Sequence, residues 1–592
     1  MRAREAAGDA PSKAWARALA MTAPLARDPH RTLPSLVGEL AERFGEAPAL
    51  LDAERCLTYR GLAEQVNRYA RWALSQGLAP GDTVCLLLHT CPDYVAIWLG
   101  LGRAGVVTAL LNTHLAGASL AHCIGVVSPK GVIVGADLAS DLPRLGRDVR
   151  CWVHGGEGRG LPQVDREAEA LRGDDLADSE RRPPSIADRG LCLYTSGTTG
   201  LPKAANVSHL RLMQWSHWFA GMMDAGPDDR MYNCLPLYHS VGGIVATGAT
   251  LVGGGGVVLR DRFSARHFWR DIAEWDCTLF QYIGELCRYL LNSPPHPLET
   301  AHRLRLCCGN GLRAETWAAF QRRFRIPRVL EFYAATEGSF SLYNADGEIG
   351  AIGRIPTFLA HRFPVALIKL DDAEPGTPVR ADDGCCVRCV PDEVGEAVGE
   401  ITAGSAGGRF EGYTDAAATE RKILRDVFVP GDAWFRTGDL MRRDARGYFY
   451  FVDRLGDAFR WKGENVSATE VAEVASGCGG VADAVAYGVA VPGTEGRAGM
   501  VALVPGPGFD LAAIRVQLAK RLPSYARPLF VRVCDHIAAT GTFKPRTQAL
   551  AREGYDPGVV GDALYFDDRA RQAFVALDAA LHARIQAREL PL

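Results

Sequence analysis

The sequence predicts an α/β protein: a large N-terminal domain of mostly parallel sheets covered by helices, a β-rich part late in that domain, and a small α+β domain at the C-terminus. Its 592 residues exceed what one hydrophobic core organises, which favours several packed units. Short apolar runs alternate with amphipathic stretches through the first two-thirds; after Arg354 short strands follow one another between Gly-, Pro- and Asp-rich turns. Strands that alternate with helices read as a parallel sheet, and closely spaced strands as antiparallel structure. The divisions read as 1–31, an N-terminal extension, 32–454, the large domain with its β-rich part at about 355–450, and 455–592, the small domain.

Taken in order, the N-terminus carries charge before its apolar part, and Arg17 interrupts that part, so it does not read as a secretory leader. "TVCLLLH", "TCPDYVAIWLGLGRAG" and "VVTALL" make a β-α-β unit, with Thr90 as the expected cap, Pro92 in the first turn, and Tyr94, Ile97, Trp98 and Leu101 on one face. "GVIVGADL", "LCLYTSG", "GGVVLRDRF" and "CTLFQYIGE" repeat the strand theme. The uncharged run from Val241 to Leu259 contains a glycine block, and reads as helix, turn and buried strand instead of a membrane span. Near the small domain, Ser467 and Glu470 have capping-box spacing at a helix start. Further on, the helix "DLAAIRVQLAKRL" is halted by Pro523 before the strand "LFVRV".

Composition excludes several classes. Lys plus Arg number 66 against 69 Asp plus Glu, a net charge of −3, so no basic footprint marks a nucleic-acid partner. The 16 cysteines have no repeated spacing and indicate free thiols in a reducing compartment. "CCVRC" at Cys385–Cys389 supplies too few ligands for structural zinc.

Chemistry concentrates in "YTSGTTGLPKAA", Tyr194 to Ala205. Thr195, Ser196, Gly197, Thr198, Thr199 and Gly200 follow an apolar strand, and Lys203 stands three residues beyond. Successive N–H groups in a glycine-permitted turn, with hydroxyls beside them, make an anion nest suited to phosphate. Leu201 and Pro202 separate the last glycine from the lysine, so the loop is not a Walker A motif.

This loop resembles the signature of the adenylate-forming (AMP-binding) enzymes, and further motifs of that superfamily follow in order: "RVLEFYAATEG", "WFRTGDL", "VDRLGDAFRWKGENV" and "GTFK". The resemblance implies the adenylate-forming fold with a mobile small domain, and ATP, Mg2+ and CoA as co-substrates and cofactors. It implies Tyr333 stacked on adenine, Thr336 on phosphate, Glu337 on magnesium, Asp439 and Arg454 at the ribose, and Lys203 and Lys544 as catalytic cations. Elementary chemistry agrees: a carboxylate attacking a polyphosphate needs positive charge and oriented donors to offset repulsion between two anions.

Longer runs, among them "CLPLYHSVGGIV", "QYIGELCRYLLN", "CGNGLRAETW" and "FRWKGENVS", resemble the fatty-acid transport proteins, also called very-long-chain acyl-CoA synthetases. That resemblance implies a fatty acid–CoA ligase for long or very long chains, working through an acyl-adenylate and then a CoA thioester. Bile-acid, steroid side-chain or other carboxylates remain alternative substrates, as does uptake coupled to esterification. It places Gly309 and Asn310 with the nucleotide, Lys462 and Gly463 with CoA, His239 at the acyl pocket, and a hinge at Leu455–Asp457 that includes Gly456. Partners are small molecules, with no nucleic acid and an oligomeric state left open. Localisation is cytoplasmic, free or peripheral on the inner face of the plasma membrane. The acyl pocket is expected to be apolar, since each buried methylene contributes about 0.8 kcal/mol. Aromatic residues around "QWSHWFAGMMDA" and "FQYIGELCRYLL" are wall candidates, although helix-spaced aromatics commonly belong to the core. The chain departs from the superfamily pattern at Ala334, Ala538 and Phe543.

Overall fold

The structure is a computed structural model that describes residues 10–590 except 144, 147, 148, 159, 196–200, 372, 373, 375, 403–409, 462, 463, 493, 495 and 540–546. Its chain gathers into two compact units. One holds the chain up to Val365 with Val398–Thr437 and Gly447–Phe449; the other holds Ala366–Ala397, Gly438–Arg446 and the chain from Tyr450 onward.

Two sheets build the first unit. The larger runs in the order Ser341–Asn344, Val329–Ala334, Leu306–Asn310, Leu279–Ile283, Arg230–Asn233, Gly256–Leu259, Pro48–Leu51 and Cys56–Thr58. Its six inner strands are parallel and only the two edge strands are antiparallel. The second runs Arg150–His154, Gly131–Gly135, Thr83–Leu87, Val107–Leu110, Arg189–Thr195 and Lys203–Ser208, parallel until its last strand folds back as a hairpin. Strands such as Thr83–Leu87 are buried at every position, as a parallel sheet covered on both faces requires. The expected mostly parallel α/β architecture is therefore present. Parallel strands bring their carboxyl ends to one edge, which puts Asn310 and Tyr333 at that edge of the larger sheet and Thr195 at that edge of the second.

Helix His209–Met223 packs on both sheets. Ser208 caps it, its side chain accepting the Arg211 N–H, and nearly every residue of the helix is buried. His209 and Leu212 pack beside Gly190 of the second sheet, while the Phe219 ring meets Phe332 of the first at 4.6 Å. The N-terminal helix Pro11–Thr22 lies along it, with Trp15 edge-on to Trp218 at 5.7 Å. Arg17, the residue that breaks the apolar N-terminal run, donates to the Gly221 carbonyl at 3.1 Å and faces Asp224 at 3.3 Å.

Two local readings need revision. Helix Pro92–Arg103 is capped by the backbone of Cys91, not by Thr90, whose own N–H is turned toward Asp261 at 3.4 Å. The helix also has no exposed polar face: Val95, Ala96 and Leu99 are as buried as the expected four, because other helices cover it. The 241–259 run forms helix, turn and strand as expected, although its first part, Val241–Gly248, is a π-helix. Asn233, fully buried, donates to the Gly242 carbonyl at 2.9 Å, and Thr247 does the same at 2.9 Å, so the altered ladder leaves that carbonyl satisfied. Among the described residues no helix is long and apolar enough to cross a membrane.

The second unit centres on the sheet Val481–Val489, Ala498–Pro505, Phe530–Val533, Ala563–Asp568 and Ala573–Ala576. Helices Ala468–Ser476 and Leu511–Arg521 contribute Val471, Ala475, Ile514 and Leu518 to its core. The Ser467 side chain accepts the Glu470 N–H at 3.1 Å, the first half of the expected capping box.

Candidate active site

In the first unit Thr195, Lys203 and Glu337 meet around one hairpin. Strands Arg189–Thr195 and Lys203–Ser208 pair so that Thr195 lies opposite Lys203. Ser196, Gly197, Thr198, Thr199 and Gly200 lie outside the described residues. The chain at Gly412–Thr414 extends this hairpin: the Asn206 N–H donates to the Gly412 carbonyl at 2.9 Å, and the Thr414 N–H to the Ala204 carbonyl at 2.9 Å. Tyr413 is thereby fixed beside the hairpin strands. Lys203 Nζ stands 5.5 Å from the centre of its ring, a cation–π contact. The Tyr413 hydroxyl donates to Glu337 Oε1 at 2.5 Å and also meets the Thr195 hydroxyl. Burial, and then the Glu337 charge, push the Tyr413 phenol well above its ordinary range, so it stays a donor.

Glu337 is itself buried, and its backbone is held from behind. Arg211 Nη1 donates to the Thr336 carbonyl at 2.9 Å and to the Gly338 carbonyl at 3.0 Å. The same guanidinium faces Glu411 at 3.7 Å, and Glu411 in turn accepts from the Ser208 N–H at 2.6 Å and the Ser208 hydroxyl at 2.5 Å. Gly338 allows the turn to sit against Phe435, where an added Cβ would come within 2.2 Å of the ring. Tyr413, Arg211 and Glu411 were missed in the sequence. A Tyr two residues after an acidic residue and an Arg in an apolar helix are too common to stand out, although the unusual burial of charge on that helix was a possible signal.

Tyr333 and Ala334 end their strand beside the antiparallel edge strand, Tyr333 edge-on to Phe340 at 5.5 Å. Ala334 is exposed, so its methyl group is accommodated where the superfamily pattern has glycine. Gly309 and Asn310 end the neighbouring strand, and the Asn310 Oδ1 atom is buried with no hydrogen-bond partner among the described residues. His239 lies in the turn leading to the π-helix, its ring 4.7 Å from that of Tyr238. Trp218 and Phe219, candidate wall residues, pack into the core with Tyr343, as their helical spacing also allowed.

The second unit brings Asp439 and Arg454 together at 3.6 Å, with Asp439 buried. Gly438, next to Asp439, donates to Glu396 at 3.2 Å, and its carbonyl accepts the Leu455 N–H at 2.9 Å. Asp453, also unforeseen, accepts the Arg454 N–H at 2.8 Å and the Thr469 hydroxyl at 3.1 Å, tying the ribose candidate to the next helix start. Burial raises its carboxyl above the ordinary range. Asp457 and Ala458 both donate to the Arg454 carbonyl at 3.0 Å, which closes the turn containing Gly456. Lys462, Gly463 and Lys544 lie outside the described residues. No cluster of three or more His, Cys, Asp or Glu side chains able to hold a metal is present among the described residues.

This geometry has counterparts. The family described as AMP-binding enzyme matches residues 38–413, and its C-terminal domain matches residues 470–544. The chain therefore belongs to the AMP-binding enzymes. The anthranilate CoA ligase AuaEII, solved with anthranoyl-AMP, superposes with a TM-score of 0.75 at 18% identity, covering 89% of this chain and 98% of that one. ATP-bound MatB from Rhodopseudomonas palustris gives 0.74 at 23% identity, covering 88% and 99%. Both show that the fold is that of adenylate-forming enzymes. Within them, the chain is 42% identical over 577 residues to long-chain fatty acid transport protein 1 of Mus musculus, covering 95% of this chain and 88% of that protein. It belongs to the long-chain fatty acid transport protein family.

Proposed function

We propose that this protein is an ATP-dependent fatty acid–CoA ligase acting on long or very long chains, forming an acyl-adenylate and then the CoA thioester. The observation that carries the reading is the cluster of Lys203, Tyr413, Thr195 and Glu337 beside the hydroxyl- and glycine-rich loop, in a member of the AMP-binding family. Attack of a carboxylate on the α-phosphorus of ATP concentrates negative charge, and preorganised cations and donors stabilise it with little reorganisation. Lys203 and Lys544 supply cations, and Thr195 with the loop amides orients the phosphates. Asn310 Oδ1, buried and without a hydrogen-bond partner among the described residues, is an acceptor for the adenine amino group beside Tyr333. Asp439 with Arg454 takes the ribose hydroxyls.

The residues present fit magnesium arriving with ATP. A buried carboxylate, Glu337, oriented by Tyr413, suits a small hard cation that keeps phosphate and water oxygens as its other ligands. Bound there, it would neutralise phosphate charge. Lys462 and Gly463 belong to the thioester step, with Gly456 and Asp457 as the hinge between steps. The family name of the relatives supports a long-chain acid, and peripheral contact with the inner face of the plasma membrane fits that substrate.

Incubation with ATP, magnesium and a panel of carboxylic acids tests this directly. Long-chain acids are expected to release pyrophosphate, and then AMP when CoA is added. Turnover confined to steroid side-chain or aryl acids would replace the substrate assignment, and no AMP with any acid would overturn the ligase reading.

A further inference from the structure

We propose that Glu331 is a positioning residue for nucleotide binding: with Tyr282 it forms a buried brace that holds the Asn310–Leu312 turn in place. The inference rests on the proposed ATP site, of which Asn310 is part.

Three parallel strands place Tyr282, Gly309 and Glu331 side by side in register. Gly309 has no side chain, so the Tyr282 ring lies over it: an added Cβ would fall 2.2 Å from the Tyr282 carbonyl and 2.6 Å from its ring. Across this gap the Tyr282 hydroxyl hydrogen-bonds Glu331 Oε2. The other oxygen, Oε1, accepts the Leu312 N–H at 3.1 Å, and the Gly311 N–H also bonds this carboxyl. One side chain, 1% exposed, thus ties two neighbouring strands to the turn that leaves the strand between them. Gly311 makes that turn with φ +78°, a conformation L side chains rarely adopt. The turn is clamped from outside as well, because a Cβ on Gly284 would meet the Gly311 carbonyl oxygen at 1.8 Å.

An apolar residue would fill this interior at lower cost than a carboxyl group, which must be desolvated. Its visible work is to satisfy the two turn amides and so fix the residue that precedes them, Asn310. The titratable groups facing it are Tyr282 on its strand, Cys308 on the middle strand and Cys287 on the following helix, all pushed up by burial. Burial also pushes Glu331 up, to about 8, so near neutral pH it keeps a proton to share with Tyr282 while Oε1 accepts the amides. The Tyr282 hydroxyl and both turn amides favour the ionised carboxyl, so the brace keeps its donors in either protonation state.

The test is ATP affinity, measured by calorimetry near pH 7, for the wild type, Glu331→Gln, Glu331→Leu and Tyr282→Phe. Glu331→Gln, whose amide keeps both halves of the brace, should stay near wild-type affinity. Glu331→Leu should weaken about tenfold or more, the cost of leaving buried amides unsatisfied near a ligand. Should that variant not fold, Tyr282→Phe still removes half the brace and should weaken ATP about threefold. A folded Glu331→Leu or Tyr282→Phe that binds like the wild type, or a folded Glu331→Gln that weakens as much as Glu331→Leu, overturns the proposal. Failure of the wild type to bind ATP overturns the site reading instead. Hydrogen exchange over residues 309–313 then decides the brace alone: protection lost in Glu331→Leu supports it, and unchanged protection overturns it.

Discussion

Arg211 shows how one side chain couples packing to chemistry. Its guanidinium is buried and fixes two carbonyls that flank Glu337, while sharing Glu411 with Ser208. Lysine offers a point charge without the planar fork. Arg211→Lys is expected to lose about 2 kcal/mol in urea unfolding and to lower acyl-AMP formation at least about tenfold, since charge-assisted bonds and orientation of the carboxylate are lost together. Equal stability with unchanged adenylation would sink that role. His209, the next buried group on the same helix, has its pKa lowered to about 4 by burial. Its unfolded value lies near 6.5, so between these values the unfolded chain binds a proton that the folded chain does not. Stability at this position is full above about pH 6.5 and is lost as pH falls through about 4. Relative to wild type, His209→Leu should gain up to roughly 3 kcal/mol between about pH 7 and pH 4 in denaturant titrations.

At the scale of elements, backbone packs directly on backbone or ring where the site is built. The turn before Gly338 rests against Phe435, and the helix start at Gly284 rests on the Gly311 carbonyl. Gly125, itself exposed at the end of a helix, has nothing within 4 Å of an added Cβ and no left-handed φ. Thermal unfolding should separate them: Gly125→Ala is expected to be neutral or to stabilise by up to about 1 kcal/mol through helix propensity. Gly284→Ala and Gly338→Ala should each cost about 2–3 kcal/mol through forced displacement. These two should also raise the ATP concentration needed for half-maximal pyrophosphate release, because each moves a strand-end turn of the proposed site. The π-helix belongs to the same scale, since Asn233 and Thr247 satisfy a carbonyl that its irregular ladder frees.

For the whole molecule, the proposed function assigns different roles in its two half-reactions to the two compact units. Lys544→Ala is expected to abolish acyl-AMP formation and to leave thioester formation from supplied acyl-AMP within about threefold of wild type, because one cation serves the phosphoryl step alone. Parallel loss of both rates would remove Lys544 from that assignment. Most of the architecture was legible because a parallel sheet covered on both faces needs fully apolar strands, and "TVCLLLH" and "CTLFQYIGE" carry that pattern locally. The cap on helix Pro92–Arg103 was misread because the helix begins at Pro92, which makes Cys91, not Thr90, the residue flanking its first turn.

By itself the sequence determined the order of motifs, the α/β class, and the identity of Lys203, Glu337, Asp439 and Arg454 as candidates, since these are written in contiguous residues. Tertiary structure alone decided which groups hold them. Tyr413 reaches Glu337 across 76 residues, Arg211 reaches the Thr336 carbonyl across 125, and Tyr282 meets Glu331 across 49. Such partners are set by strand register, burial and the empty space above one glycine. A pattern of local periodicity contains none of these, because the pairing energy exists only once distant segments share the same dry interior.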